Sequence, residues 1–190
     1  MAELEERAAV LRCQRGADAD HSAFKAIYER YAPEVYRFQK RLLGDRHSAE
    51  DAVQDTFVRL HRGLKGYDAT RPFRPYVFSV ARNVAVDVLR VRAKRPRAET
   101  LGDAATEGTS AADSASQGER TTAVAESLAT LAPEHRSLLL LRHVHGMKLE
   151  ELAEGLACTD RTIRNRLRAA ATLLERELRR RGILSREVSP

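Results

Sequence analysis

Residues 147–181, MKLEELAEGLACTDRTIRNRLRAAATLLERELRRR, read as a short acidic helix, a tight polar turn and a long basic helix carrying an apolar stripe. In the second helix Ile163, Leu167, Ala170 and Leu174 recur at i, i+4, i+7 and i+11, a face that must pack on a neighbour. Arg161, Arg164, Asn165 and Arg168 fall together on a different face. Arginine pairs bidentately with guanine or holds phosphates and asparagine suits adenine, so this second face has the chemistry for a major groove. Thr159 is placed to cap the helix start. The pattern is that of a helix-turn-helix. A solvated basic helix in an ordinary bundle has the same periodicity, so the rest of the chain has to decide between them.

The chain has 190 residues, 33 Lys and Arg against 27 Asp and Glu, and a formal net charge of +6, which makes a polyanionic partner plausible. No uncharged apolar run approaches the roughly 20 residues that span a bilayer, and the N-terminal MAELEERAAVL is acidic rather than signal-like, which predicts a cytoplasmic protein without membrane insertion. Cys13 and Cys158 are far apart and form no CxxC pair, so neither a disulfide framework nor a zinc ribbon is indicated. From Ala98 to Glu119 the sequence AETLGDAATEGTSAADSASQGE holds acids and small residues, no lysine or arginine and almost no large apolar side chain. It cannot bury a core, and loops longer than about 12 to 15 residues are uncommon inside one domain. The expected architecture is all-α: two small helical domains, 20–97 and 121–182, joined by a flexible acidic linker over 98–120. An N-terminal extension, 1–19, and a C-terminal tail, 183–190, flank them.

In the first domain Phe24, Ile27, Tyr28 and Tyr31 have helical spacing, and Pro33 suits the first turn of a following helix carrying Val35, Phe38 and Leu42. A third helix is expected to start at Ser48 as its cap, with Asp51 in the capping-box position and a core stripe of Val53, Phe57, Leu60 and Leu64. Its other face gathers Asp51, Gln54, Asp55 and Val58, an acidic and amide surface with one exposed apolar residue in an otherwise basic chain. The helix dipole accounts for Glu50 and Asp51 but less well for Gln54 and Val58, so this face reads as a protein contact.

Next comes the loop KGYDATRPFRP, and then a fourth helix from about Pro75 to Arg92 with a buried row of Val77, Val80, Val84 and Val88. Asn83, Asp87 and Arg90 share another face. Basic residues interleaved with Tyr67, Phe73, Tyr76 and Phe78 suit a surface that receives unpaired bases, since stacking on an aromatic is worth roughly 1 to 3 kcal/mol per base. The same aromatics at a helix start also suit a core.

HSAEDAVQDTF at 47–57, FRPYVFSVARNVAVDVLR at 73–90 and the C-terminal helix-turn-helix, in this order around a linker, resemble the extracytoplasmic-function sigma factors of bacterial RNA polymerase. The resemblance covers about Asp20 to Arg181. It implies that Glu50, Asp51, Gln54, Asp55 and Val58 bind core RNA polymerase. It implies that Tyr67, Arg71, Phe73, Arg74, Tyr76, Arg82, Asn83 and Arg90 recognise the opened minus-ten element of promoter DNA and hold a flipped base. It implies that Arg161, Thr162, Arg164, Asn165, Arg166 and Arg168 read the duplex minus-thirty-five element. A partner anti-sigma factor of unknown identity is also implied, and no cofactor, metal or catalytic residue.

The chain departs from the family pattern in three places. Tyr76 stands for the usual tryptophan of the FRPW motif, which keeps an aromatic with a polar tip. Lys148 stands for the serine that usually caps the first helix of the helix-turn-helix, a cap typically worth about 1 kcal/mol, with Glu150 and Glu151 as partial compensation. Ala169, Ala170 and Ala171 stand for the usual R-A-R, with an arginine at Arg168. Two other classes compete with this reading. A repressor or activator would bind a duplex operator alone. A zinc enzyme would need His135, His143, His145 and Cys158 to converge, although His143 and His145 fall on different sides of a helix.

Overall fold

In the computed structural model, residues 2–16, 21–94 and 114–184 are described; over 2–3 and 114–120 the description extends to the backbone alone. The expected linker therefore lies outside the described residues from 98 to 113, while its last residues already belong to a helix. The described residues are helical, without strands: α1 (Ala2–Gln14), α2 (Ser22–Leu43), α3 (Arg46–Gly63), α4 (Phe73–Lys94), α5 (Ser114–Ala129), α6 (Pro133–Leu139), α7 (Leu149–Gly155) and α8 (Asp160–Arg180).

Helices α2, α3 and α4 pack around Phe38, Leu42, Leu60, Val77 and Phe78, all fully buried. Pro33 starts no new helix, contrary to the reading of the sequence, but sits inside continuous α2. Its ring forfeits one hydrogen bond, a defect of about 3 kcal/mol. Ile27, Tyr31, Val35, Phe38 and Leu42 are buried along one face on both sides of it, and burying large apolar side chains at about 1.5 to 3 kcal/mol each outweighs that loss. The cap of α3 also differs. Asp45 rather than Ser48 occupies it, its carboxylate accepting the Ser48 N–H at 2.7 Å. Ser48 Oγ and Asp45 Oδ2 both receive Arg92 of α4. Burial alone would raise the Asp45 carboxyl, but the bonds from Ser48 and Arg92 hold it below the ordinary carboxylate range.

The N-terminal segment, expected as an extension, is a helix that belongs to the first module. Val10 of α1 is buried against it, and Glu6 accepts the Tyr31 hydroxyl at 2.5 Å and pairs with Arg30 at 3.1 Å.

In the second module α6 runs on into a π-helical turn over Leu140–Val144, closed by His145 N–H to Leu140 O at 3.0 Å. Gly146, with φ at +64°, turns the chain into α7, a conformation open to glycine without penalty. Lys148 supplies no side-chain cap, as its chemistry requires; Glu151 instead reaches back and accepts the Lys148 N–H at 2.7 Å. The turn into α8 places Ala157 at a φ of +48°, where a Cβ costs roughly 1 to 2 kcal/mol. Thr159 caps α8 by accepting the Thr162 N–H at 3.2 Å, as its position predicts.

The modules are not two separate bodies on a string. Leu138, Leu140, Leu141, Met147, Leu152, Ala153 and Ile163 belong to the same buried cluster as Phe38 and Phe78. At the junction Gly155 of α7 lies against the main chain of Pro75.

Candidate nucleic-acid interface

Helix α8 separates its two faces as its spacing requires. Ile163 and Ala170 are buried, Leu167 and Leu174 half-buried, and Arg161, Arg164, Asn165, Arg166 and Arg168 all stand exposed on the outside. Among the described residues no ion pair engages those four arginines, so their donors are available to a groove. Thr162, half-buried in the first turn, is tied to Thr159 by a hydroxyl contact of 2.9 Å. Ala169, Thr172 and Leu173 continue the exposed surface with Asn165 and Arg168 as an open apolar groove. Ala169 thus adds to an apolar strip where the family pattern has charge, while Ala170 is buried.

A second surface forms where α3 ends and α4 begins. The Tyr67 ring stacks on Tyr76 with centroids 4.5 Å apart, and Phe73 holds both from beneath, 5.3 Å from Tyr67 and 5.9 Å from Tyr76. Phe73 and Phe78 are buried. They support the surface and present no face to solvent, which leaves Tyr67 and Tyr76 as the half-buried rings. The polar tip of Tyr76 lies over Gly63, where an added Cβ would collide with it. The loop is internally braced: Tyr67 donates to Arg71 O at 2.7 Å, and Asp68 accepts the Thr70 N–H at 2.9 Å. Tyr67, Asp68, Arg71, Pro72 and Tyr76 border a cavity of about 340 Å³ that Glu154 and Gly155 of the second module close from the far side. The cavity falls within the size range of small-ligand sites.

The arginines assigned to the minus-ten element, of which Arg71 borders the cavity, are already engaged. Arg71 faces Glu154 at 3.4 Å, Arg74 donates to His145 O at 2.8 Å, Arg82 to Ser137 Oγ at 3.0 Å, and Arg90 pairs with Glu134 at 2.7 Å. In return Arg136 donates to Leu42 O at 3.0 Å. Of the polar residues assigned to the minus-ten element, only Asn83 stands exposed without reaching the second module; Arg82 Nη1 lies 3.4 Å from its Oδ1. Periodicity along single helices could not show that these arginines meet the second module. Glu134 and Glu154, each near an α-helix end and without an ion pair inside its own helix, were the available signal.

His145 sits inside this junction rather than at an exposed helix end. Its ring lies 5.5 Å from Phe38 and 5.1 Å from Phe78. Burial pushes its pKa from the ordinary 6.5 down to about 4; Glu34 pulls the other way, while Arg74, Arg41 and Arg37 add to the depression. The unfolded chain therefore binds a proton that the folded one refuses, so His145 withdraws stability as pH falls from 6.5 towards 4. The urea midpoint of His145→Phe should drop less than that of the native chain between about pH 7 and about pH 5, since phenylalanine keeps the ring packing and removes the titration. Equal drops would place the pH sensitivity elsewhere.

The third surface is on α3. Asp51, Gln54, Asp55 and Val58 are exposed in one stripe opposite buried Val53, Thr56, Phe57 and Leu60, with Glu50 half-buried at its edge. Val58 is 45% exposed, one of few large apolar side chains so placed. Asp55 is engaged by Arg59 at 2.9 Å, which also bonds Asp87 at 3.1 Å. His135, His143, His145 and Cys158 do not assemble: among the described residues no group of three or more His, Cys, Asp or Glu side chains is placed to hold a metal. No helix there is long and apolar enough to cross a membrane.

Family models match both modules: Sigma-70 region 2 over residues 27–95 and Sigma-70 region 4 over residues 121–174. The chain is 30% identical over 174 residues to the ECF RNA polymerase sigma factor SigL of Mycobacterium tuberculosis, covering 90% of this chain and 98% of the relative. It is 25% identical over 180 residues to SigW of Bacillus subtilis, covering 88% and 95%. Among solved structures, CnrH in complex with the cytosolic domain of CnrY superposes with a TM-score of 0.66 at 21% identity, over 92% of this chain and 97% of that one. RpoE of Bartonella quintana in complex with the anti-sigma factor NepR gives 0.60 at 20% identity, over 82% and 96%. These two show the fold. Two ordered modules, matched in sequence and in shape, identify the chain as a member of the extracytoplasmic-function sigma factors of RNA polymerase, the factors that direct the polymerase to promoters and assist their opening.

Proposed function

We propose a division of this work among the three surfaces. The stripe of Asp51, Gln54, Asp55 and Val58 on α3, with Glu50 beside it, binds core RNA polymerase. The outer face of α8, through Arg161, Arg164, Asn165, Arg166 and Arg168 with Thr162 at its start, reads the duplex minus-thirty-five element. The cavity edged by Tyr67 and Tyr76 receives an unstacked base of the opened minus-ten strand, with Arg71, Arg74, Arg82, Asn83 and Arg90 along the backbone and Phe73 beneath. The single observation that carries the reading is the braced aromatic cavity bordered by Tyr67, Tyr76 and Arg71, which suits a base with a phosphate beside it. Because four of those arginines contact the second module, promoter capture requires the modules to part. An anti-sigma factor is the expected inhibitory partner and the cytoplasm the expected site of action, as for factors that work on the polymerase. No residue is assigned a catalytic role.

Transcription from fragmented genomic DNA of the source organism, with core polymerase and this chain, tests the proposal. Discrete start sites that vanish without the chain are the expected result. A duplex operator bound by the chain alone, with no transcripts, would establish a repressor or activator instead. On promoters found in this way, Arg164→Ala should weaken selective binding by about 1 to 3 kcal/mol if the side chain reads a base. An equal loss on scrambled sites would show that it holds phosphate only.

A further inference from the structure

The loop that borders the aromatic cavity is braced from outside as well as from within. Its first residues are held from outside by α1, the segment that precedes both matched regions. The Gln14 side-chain amide spends both its protons there: Nε2 donates to Leu64 O at 2.8 Å and to Tyr67 O at 2.5 Å. These two carbonyls bracket the tight turn Leu64–Gly66 that ends α3 and launches the loop. From Tyr67 the bracing continues without a break, since its hydroxyl donates to Arg71 O at 2.7 Å and its ring stacks on Tyr76. One amide thus fixes the main chain from which the stacking ring and Arg71 both depend. The anchor itself is firm: Val10 is 1% exposed, and Glu6 of the same helix holds Tyr31 and Arg30.

We propose that Gln14 is a positioning residue for promoter reading, setting through the Leu64 and Tyr67 carbonyls the shape of the cavity that selects a base of the opened strand. This rests on the reading of that cavity given above. The geometry accounts for an amide in particular: a carboxylate of the same size offers no proton and would face two carbonyl oxygens, while a thioether of similar length leaves both carbonyls unmatched.

Holoenzyme assembled from core polymerase and the full chain is used to select from a single-stranded DNA library with randomised positions, and the bound strands are sequenced. The native chain should prefer one base at a single position by about tenfold or more. Gln14→Glu should flatten that preference by about tenfold, while the affinity for core polymerase and for a duplex minus-thirty-five fragment stays within about twofold. Gln14→Met, which carries no added charge, should flatten it likewise, and Gln14→Lys, which restores donors, should recover it. Should the glutamate variant fail to fold, the methionine and lysine pair decides the matter alone. An undiminished preference in Gln14→Met overturns the role of Gln14 and leaves the cavity reading intact. A native chain without any base preference overturns the cavity reading, and the role of Gln14 with it.

Discussion

Gly155→Ala is expected to part the two modules. A Cβ at this position would stand 2.7 Å from Pro75 O and 3.3 Å from Pro75 C, and neither backbone atom can swing aside as a side chain would. The second module itself is not harmed, because alanine at a helical position gains up to about 1 kcal/mol over glycine. The strain falls on the junction. Overpacking of a close contact costs typically about 1 to 3 kcal/mol, which translates into a shift of about 5- to 150-fold from the closed towards the open arrangement. Small-angle scattering should report a larger radius of gyration, and the variant should bind single-stranded DNA more tightly as Arg71, Arg74, Arg82 and Arg90 come free. An unaltered scattering profile would mean that the junction slides to absorb the methyl group.

The second large effect is expected on α3. Asp51→Ala with Gln54→Ala should weaken association with core polymerase by roughly 30-fold or more, the scale on which interface hot spots act. Both side chains are exposed, so the melting temperature should hardly move, as for surface substitutions generally. Asp55→Ala is a different case, because it also releases Arg59, which then rests on Asp87 alone. Affinity measured by titration of labelled core polymerase separates the two. Unchanged affinity in the double variant would remove this face from the interface.

Periodicity made much of this legible. The inward row Ile163 to Leu174, the Thr159 cap and the exposed stripe on α3 all follow from spacing within one helix, where the chemistry of a few neighbouring residues decides. Pro33 misled because local propensity lost to the long apolar face around it. Ser48 misled because Asp45, three residues earlier, is the stronger acceptor and is secured by Arg92 from α4. The engagement of Arg71, Arg74, Arg82 and Arg90 was out of reach for a different reason: their partners lie between about 44 and 83 positions away, in another module, and single-helix patterns carry no such information. Gln14 was hidden likewise, since it ends a stretch with no amphipathic pattern and its partners lie about 50 positions away.

The arginine–glutamate contacts across the junction also bear on how the chain responds to salt. A lysine or arginine that meets DNA normally gains because the duplex sheds a condensed cation for each phosphate neutralised. On the proposed reading Arg71 and Arg90 meet DNA only by leaving Glu154 and Glu134, and added salt weakens those exposed ion pairs as well as the contacts with phosphate. The two effects partly offset. For these two side chains the expected loss of DNA affinity with rising salt is therefore shallower than for an arginine without a carboxylate partner.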